Sequence, residues 1–396
     1  MGFEDAQAEF REVVAASVER HLMADVEVAA YLSSGFDSTT VAALAARSVS
    51  GHVATFTGTF GEKGWYDEGT GARVVAETIG SRHHEIPLSG DNLPTDVDAV
   101  AASLDEPRMG LGALPQYLVA RAVSRSHKVI LTGHGGDELF AGYPHFRLSQ
   151  LAHGCHQPLV MMRRLAGVRF SEIPHLAYFL GRSFSPGGRA LLPLPLLFRP
   201  GMLRKLLRRG VADVLLDIDP AIEGRDLLEG ETDSYRRLTL SYLRLYLPGL
   251  FVVEDRISMA HSLESRTPLC DNSVLDLALS LSVAVKLHGG VLKAVPKAAM
   301  RGALPDVLWQ MPKRGFPTPL ASWLRGPHRA WLQRRLIGED SPLHTLFRPH
   351  ALARLVSRYL HSPNRYVRPL DEIPTHRMWI LLILDACMRR RGLTWS

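Results

Sequence analysis

Two short stretches hold the residues most able to do chemistry: SSGFDST at 33–39 and GHGGDELFAGY at 133–143. Each sets glycine close to an aspartate, Gly35 near Asp37 and Gly136 beside Asp137. A glycine turn that opens a helix offers free backbone N–H groups, which wrap phosphate oxygens at the positive end of the helix. Ser33, Ser34 and Ser38 add hydroxyl donors to the first stretch. Asp37 and Asp137 are anions beside an anion site. That pairing makes sense when a divalent cation lies between carboxylate and phosphate, and hard oxygen ligands suit Mg²⁺. Taken singly, each stretch is also what a capped turn needs, since Asp and Ser cap helices and Gly forms turns. Neither is the G-x-x-x-x-G-K-S/T loop, so phosphoryl transfer on that architecture is disfavoured.

For the two stretches to act together, each must follow a strand of one sheet. VEVAAYL (26–32) is a short apolar run that ends at the first stretch, and KVILTG (128–133) ends at the second. HVATFTGTF (52–60) and RHHEIPL (82–88) read as two further strands. Helical patterns over 40–47 and 66–80, the latter closed by Gly80, alternate with them, after an opening helix with Phe10, Val14, Val18 and Leu22 at i+4 steps. Strand–helix alternation with near-continuous apolar strands predicts an α/β fold, a parallel sheet covered on both faces. Ligands of such sheets sit beyond the carboxyl ends of the strands, where both stretches fall. Beyond about residue 145 strand signals stop and helical periodicity dominates, as in 233–247 and 375–392. The expected organisation is therefore an α/β core over 1–145 and a mostly helical closing half over 146–396. A Pro/Gly/Leu-rich segment at 185–201 reads as a buried crossover.

Composition bounds the partners. The 396 residues carry a formal charge of +6, with 46% hydrophobic and 22% charged residues, as in an ordinary globular protein. The basic residues are nearly all arginine and scattered, with no stripe interleaved with aromatics, so no nucleic-acid partner is expected. Cys155, Cys270 and Cys387 are too few and too far apart for a disulfide framework, which fits a reducing, cytoplasmic setting. HGCH at 153–156 has no second ligand pair at workable spacing, and reads as a loop. No run of eighteen apolar residues occurs and the N-terminus has no signal-sequence pattern, so no membrane association is expected.

LSSGFDST resembles the pyrophosphate loop, S-G-G-x-D-S, of the asparagine synthetase family of N-type ATP pyrophosphatases, with Ser34 replacing the first glycine. LTGHGGDELFAGY is similar to that family's second loop. YLPGLFVVEDRISMAHSLESRTPLCD (246–271) resembles its helical signature, and residues 293–324 its closing lysine-containing segment. The four motifs occur in order, and the resemblance runs from about residue 5 to 390. The resemblance implies a PP-loop (adenine nucleotide hydrolase-like) core and ATP and Mg²⁺ as cofactors. In the reaction it implies, a carboxylate attacks the α-phosphate of ATP, pyrophosphate leaves, and an amine converts the acyl-adenylate to an amide. On that resemblance Leu32, Ser33, Ser34, Gly35, Asp37, Ser38, Phe60, Gly133, Gly135 and Gly136 bind ATP, and Asp37 and Asp137 hold Mg²⁺. Lys313 stabilises charge in the transition state, and Glu138, Tyr143, Asp255, Arg256, Glu264, Arg266 and Lys293 bind substrate or serve as scaffold.

Two departures shape the functional expectation. Asparagine synthetases carry an N-terminal glutaminase domain beginning with a catalytic cysteine. This chain is read as the synthetase half alone, its amine being free ammonia, the product of a separate protein, or part of another substrate. His134 stands where asparagine synthetases usually carry glutamate and the similar β-lactam synthetases tyrosine. A histidine there is either a base for the attacking amine or a packing or ATP-binding group. Ser258 stands where the β-lactam synthetases' paired glutamate is expected. The reading is a ligase that adenylates a small-molecule or peptide carboxylic acid other than, or besides, aspartate, in biosynthetic tailoring. An ammonia-using asparagine synthetase is the first alternative, and peptide or β-lactam-type ring closure the second. A tRNA-modifying enzyme usually wants paired cysteines or an RNA-binding module, neither of which this sequence shows, and an inactive scaffold has no need of Asp37, Asp137, Glu138 and Lys313.

Overall fold

The apolar runs become strands and the runs of helical period become helices. In chain order these are α1 (Phe3–Leu22), β1 (Val28–Tyr31), α2 (Phe36–Ser48), β2 (Ala54–Phe60), α3 (Gly69–Ile79), β3 (Arg82–Leu88), α4 (Leu93–Ser103), α5 (Ala113–Val123), β4 (Val129–Leu131) and the single turn α6 (Gly136–Leu139). Later come α7 (Leu247–Met259), β5 (Glu264–Arg266), α8 (Asn272–Ser280), α9 (Ala294–Ala299) and α10 (Ile373–Arg391). The computed structural model describes residues 1–61, 68–107, 110–147, 197–217, 230–231, 233–310, 318–362 and 372–395. Lys313, the 153–156 stretch with Cys155, and residues 185–196 lie outside them.

The strands form one sheet in the order β3-β2-β1-β4-β5, and every neighbouring pair is parallel. Ala30 lies opposite Thr55 on one side and Leu131 on the other, so β1 is the centre. Because side chains alternate along a strand, the sheet feeds two separate cores. Ala29, Phe56 and Ile130 join Val100 of α4, Leu118 of α5, and Trp379 and Leu382 of α10. Val28, Ala30, Val129 and Leu131 join Phe10 and Val14 of α1, Val41 of α2, Val75 of α3, Val274 of α8 and Val295 of α9. Burial on both faces is what made β1 and β4 continuous apolar runs. β3 is different because it is an edge strand, and its polar residues Arg82, His84 and Glu85 are exposed.

The second half contributes a strand after all. β5 pairs with β4, Val129 opposite Glu264 and Leu131 opposite Arg266. Only three residues long and reading Glu-Ser-Arg, it has no apolar run to announce it. The helix expected over 233–247 is real but contains a π turn, Tyr242–Tyr246, before running on into α7. Gly80 ends α3 in the left-handed conformation that glycine adopts most cheaply.

Among the described residues no helix is long and apolar enough to cross a membrane. Cys270 and Cys387 are free thiols.

Candidate active site

The order 3-2-1-4-5 reverses direction between β1 and β4, which makes that crevice the topological switch point where open α/β sheets bind ligands. The two glycine–aspartate loops lie there, one after each of the two strands. Leu32 anchors the first: its N–H donates to the Phe56 carbonyl at 2.9 Å, and its own carbonyl accepts from the Thr57 hydroxyl. The loop is then tied across itself by hydroxyls. Ser38 Oγ lies 2.8 Å from Ser33 Oγ and accepts from the Ser33 N–H at 3.1 Å, while the Gly35 N–H donates to Ser33 Oγ at 3.0 Å. These bonds hold the loop at the N-terminus of the 13-residue α2, where aligned peptide dipoles favour an anion.

Glycine lets the loops meet. A Cβ on Gly133 would stand 2.7 Å from the Ser38 nitrogen, and one on Gly136 would overlap the Asp37 carboxylate. Gly135 adopts φ +96, a left-handed conformation, and a side chain there would collide with Cys270 Sγ. Burial pushes the Cys270 thiol up to about 12, so it packs under the loop as a neutral group.

The N-cap positions of α2 and α6 are glycines, Gly35 and Gly135, and the aspartates serve another purpose. Both carboxylates converge on Lys293 Nζ: Asp137 Oδ1 at 2.8 Å, and Asp37 Oδ2 in a closer ion pair. Lys293 is 5% exposed. Burial pulls its pKa down, but the charges of Asp37 and Asp137 outweigh burial and hold it above the usual lysine value. Two carboxylate oxygens that already share one cation position are a fitting donor set for a hard divalent cation. Among the described residues no third His, Cys, Asp or Glu joins them. Mg²⁺, which keeps several waters and takes phosphate oxygens, suits so sparse a protein shell.

His134, between the glycines of the second loop, faces a partner that the sequence reading missed. Its Nε2 lies 3.2 Å from Oε2 of Glu254, on α7. Glu254 is 5% exposed and otherwise satisfied, by Ser265 Oγ at 2.5 Å and Gln116 Nε2 at 3.1 Å. Burial pulls the imidazole down, but the Glu254 hydrogen bond and charge, with smaller contributions from Glu138 and Asp37, raise it above its ordinary 6.5. Burial likewise opposes ionisation of Glu254, and the His134 and Ser265 hydrogen bonds more than reverse it, leaving the carboxyl below its ordinary 4.5. With Nε2 committed to Glu254, Nδ1 is the acceptor of the neutral ring. The carboxylate sought at position 258 is thus supplied one turn earlier. Helical period was the available signal, because Leu247, Glu254, Ile257 and Ser258 make the buried face of α7.

The remaining expected residues fall into two groups. Glu138 and Tyr143 join the site: the phenol donates to Glu138 Oε1 at 2.6 Å and stacks on Tyr242 at 4.9 Å, a contact presented by the π turn. Burial raises the Glu138 carboxyl despite that hydrogen bond. Asp255 and Arg256 are exposed instead, with Arg256 paired to Asp105 at 2.8 Å. Arg266 donates to the carbonyls of His21 and Met23, both at 2.8 Å, and pairs with Glu264, so these two residues fasten the end of α1 to β5. Phe60 is buried in the core with its ring 5.9 Å from that of Trp323. Ser34 is half-buried within the first loop.

A family model described as asparagine synthase matches residues 9–381. A Mycobacterium tuberculosis (strain H37Rv) protein, provisionally named a glutamine-hydrolyzing asparagine synthetase, is 32% identical over 399 residues, 95% of this chain and 57% of the relative. Glutamine-hydrolyzing asparagine synthetase 1 of Bacillus subtilis is 27% identical over 84% of this chain and 52% of its own length. Amidase chry2 of Gibberella zeae is 23% identical over 80% of this chain and 53% of its own. The chain spans about half the length of the curated relatives it matches.

Proposed function

Because the chain belongs to the asparagine synthase family, we propose that it is an ATP-dependent ligase that adenylates a carboxylic acid and passes the acyl group to ammonia or an amine. The observation that carries this reading is the meeting of the two glycine–aspartate loops at the switch point, with His134 paired to a buried glutamate in the same crevice. The first loop and the N-terminus of α2 bind the phosphates of ATP. A carboxylate oxygen of the acid forms a bond to the α-phosphorus, and the bond to the β-bridging oxygen breaks with release of pyrophosphate. The amine nitrogen then forms a bond to the acyl carbon, the bond to AMP breaks, and the nitrogen's proton passes to Nδ1 of His134. Asp37 and Asp137 would hold Mg²⁺, which when bound would supply charge neutralisation for the departing phosphates. Glu254 keeps the imidazole oriented, as the third member of a nucleophile–base–carboxylate arrangement does. Lys313, outside the described residues, is assigned to transition-state stabilisation by family resemblance alone.

The acid is one other than, or besides, aspartate, in a tailoring reaction. The basis is His134 in place of the glutamate usual for asparagine synthetases. The amine arrives as free ammonia, from a separate supplying protein, or as part of the substrate. The asparagine synthetase names of the bacterial relatives favour aspartate as the acid, and with it a second reading, an ammonia-using asparagine synthetase. Carboxylate-dependent ATP–pyrophosphate exchange, run without amine over a panel of acids that includes aspartate, separates the two. Exchange with aspartate alone supports the second reading, exchange with other acids supports the first, and exchange with no acid contradicts both.

A further inference from the structure

The ammonium of Lys293 stands where a cation shared by Asp37 and Asp137 must stand. Several features keep it there. Lys293 is one of three non-glycine residues with positive φ among the described residues, at +55, and this conformation directs its side chain from the N-cap of α9. Such a conformation is strained for any residue with a Cβ and persists only where the surroundings enforce it. Its Nζ lies 5.9 Å from the centroid of the Phe36 ring, between Gly35 and Asp37 in the first loop. Gly142 makes the remaining room, because a Cβ there would overlap both Asp137 Oδ1 and Lys293 Cε. The cradle is therefore shaped around the ammonium and the two carboxylates together.

We propose that Lys293 is the resident counter-cation of the Asp37–Asp137 pair, and that it excludes free divalent ions until a nucleotide brings its metal with it. This rests on the reading of Asp37 and Asp137 as the metal-holding pair. Two carboxylates facing each other at low exposure repel strongly unless a cation lies between them. A free hydrated divalent ion has to evict the ammonium and leave it buried without an anion, which opposes binding. A metal–triphosphate complex removes that obstacle, because its phosphate oxygens give the displaced ammonium a new partner while the metal takes the carboxylates. Metal and nucleotide then enter as one unit, so a metal ion is not trapped in a site without substrate.

The test uses the full chain without acid or amine, with Mn²⁺ as probe and loss of the free-ion EPR signal as readout. An opposite charge beside a carboxylate shifts its pKa by one to three units, so removing it should tighten free Mn²⁺ binding by about tenfold or more in Lys293→Met. The wild-type protein should bind Mn²⁺ at this site only when α,β-methylene-ATP is added. Wild type that binds one Mn²⁺ without nucleotide as tightly as with it, in a manner abolished by Asp137→Asn, overturns the proposal. A folded Lys293→Met that gains no affinity also overturns it. Circular dichroism checks that this variant folds, and if it does not, the two wild-type titrations still decide. The underlying metal-site reading fails separately, if Asp137→Asn leaves Mn²⁺ binding with α,β-methylene-ATP unchanged.

Discussion

Replacing Glu254 with glutamine removes one buried charge while preserving shape, and so isolates what that charge does for His134. Oε2 of Glu254 faces Gln116 and His134, while Oε1 accepts from Ser265. A glutamine whose carbonyl takes the first role and whose amide faces Ser265 satisfies all three partners, since a hydroxyl can accept as well as donate. The pKa of His134 must then fall, because burial pulls it down and the Glu254 charge that helped to oppose burial is gone while the hydrogen bond stays. Each pKa unit of that fall measures about 1.4 kcal/mol of the charge's interaction with the imidazolium. The assay is kcat against pH. Imidazolium cannot accept the amine's proton, so wild-type activity should rise with pH along a limb set above 6.5, the ordinary histidine value. In Glu254→Gln that limb should move toward acid. The plateau should also fall, because a less basic imidazole is a weaker general base.

Stability should follow the same pair. His134 is raised, so its contribution is complete below 6.5 and is lost as pH rises through its folded-state value. Glu254 is depressed, so its contribution is complete above 4.5 and is lost as pH falls through its folded-state value. Glu254→Gln should therefore destabilise most between 4.5 and 6.5, and less in alkali. An acid limb that stays in place in the variant, with its folding intact, would refute the assignment of His134 as the titrating base.

Two further substitutions separate scaffold from site. Arg266→Ala should cost about 1–2 kcal/mol by releasing the His21 and Met23 carbonyls at the end of α1. It should leave KM for the acid unchanged, and thermal melts with steady-state kinetics check both. Gly142→Ala should leave circular dichroism unchanged but weaken nucleotide binding by calorimetry about tenfold or more, because its Cβ intrudes on Asp137 and Lys293.

The sequence was most legible where one physical demand dominates a stretch. Strands buried on both faces favour apolar runs, so β1 and β4 were visible, and the β-branched and aromatic residues of β2 marked it as well. Close approach of two backbones demands glycine, so the loops that carry Asp37 and Asp137 were visible too. β5 escaped because its pairing with β4 comes from the backbone and needs no apolar side chain. Glu254 escaped because a buried carboxylate looks like any surface glutamate until its partners are known, although the period of α7 placed it on the inner face. Motif resemblance drew attention to the adjacent Asp255 and Arg256, which that same period turns toward solvent. Lys293 was read as substrate contact or scaffold, and its ion pair with Asp37 joins residues 256 positions apart in the chain, a distance no local pattern spans.

The central claim, activation of a carboxylate by adenylation, is tested most directly by the identity of the nucleotide product. Phosphorus NMR of the wild-type protein with ATP, Mg²⁺, ammonium and an acid active in pyrophosphate exchange should show AMP and pyrophosphate forming together. Asp137→Asn should abolish both signals. ADP and inorganic phosphate in their place would contradict the account.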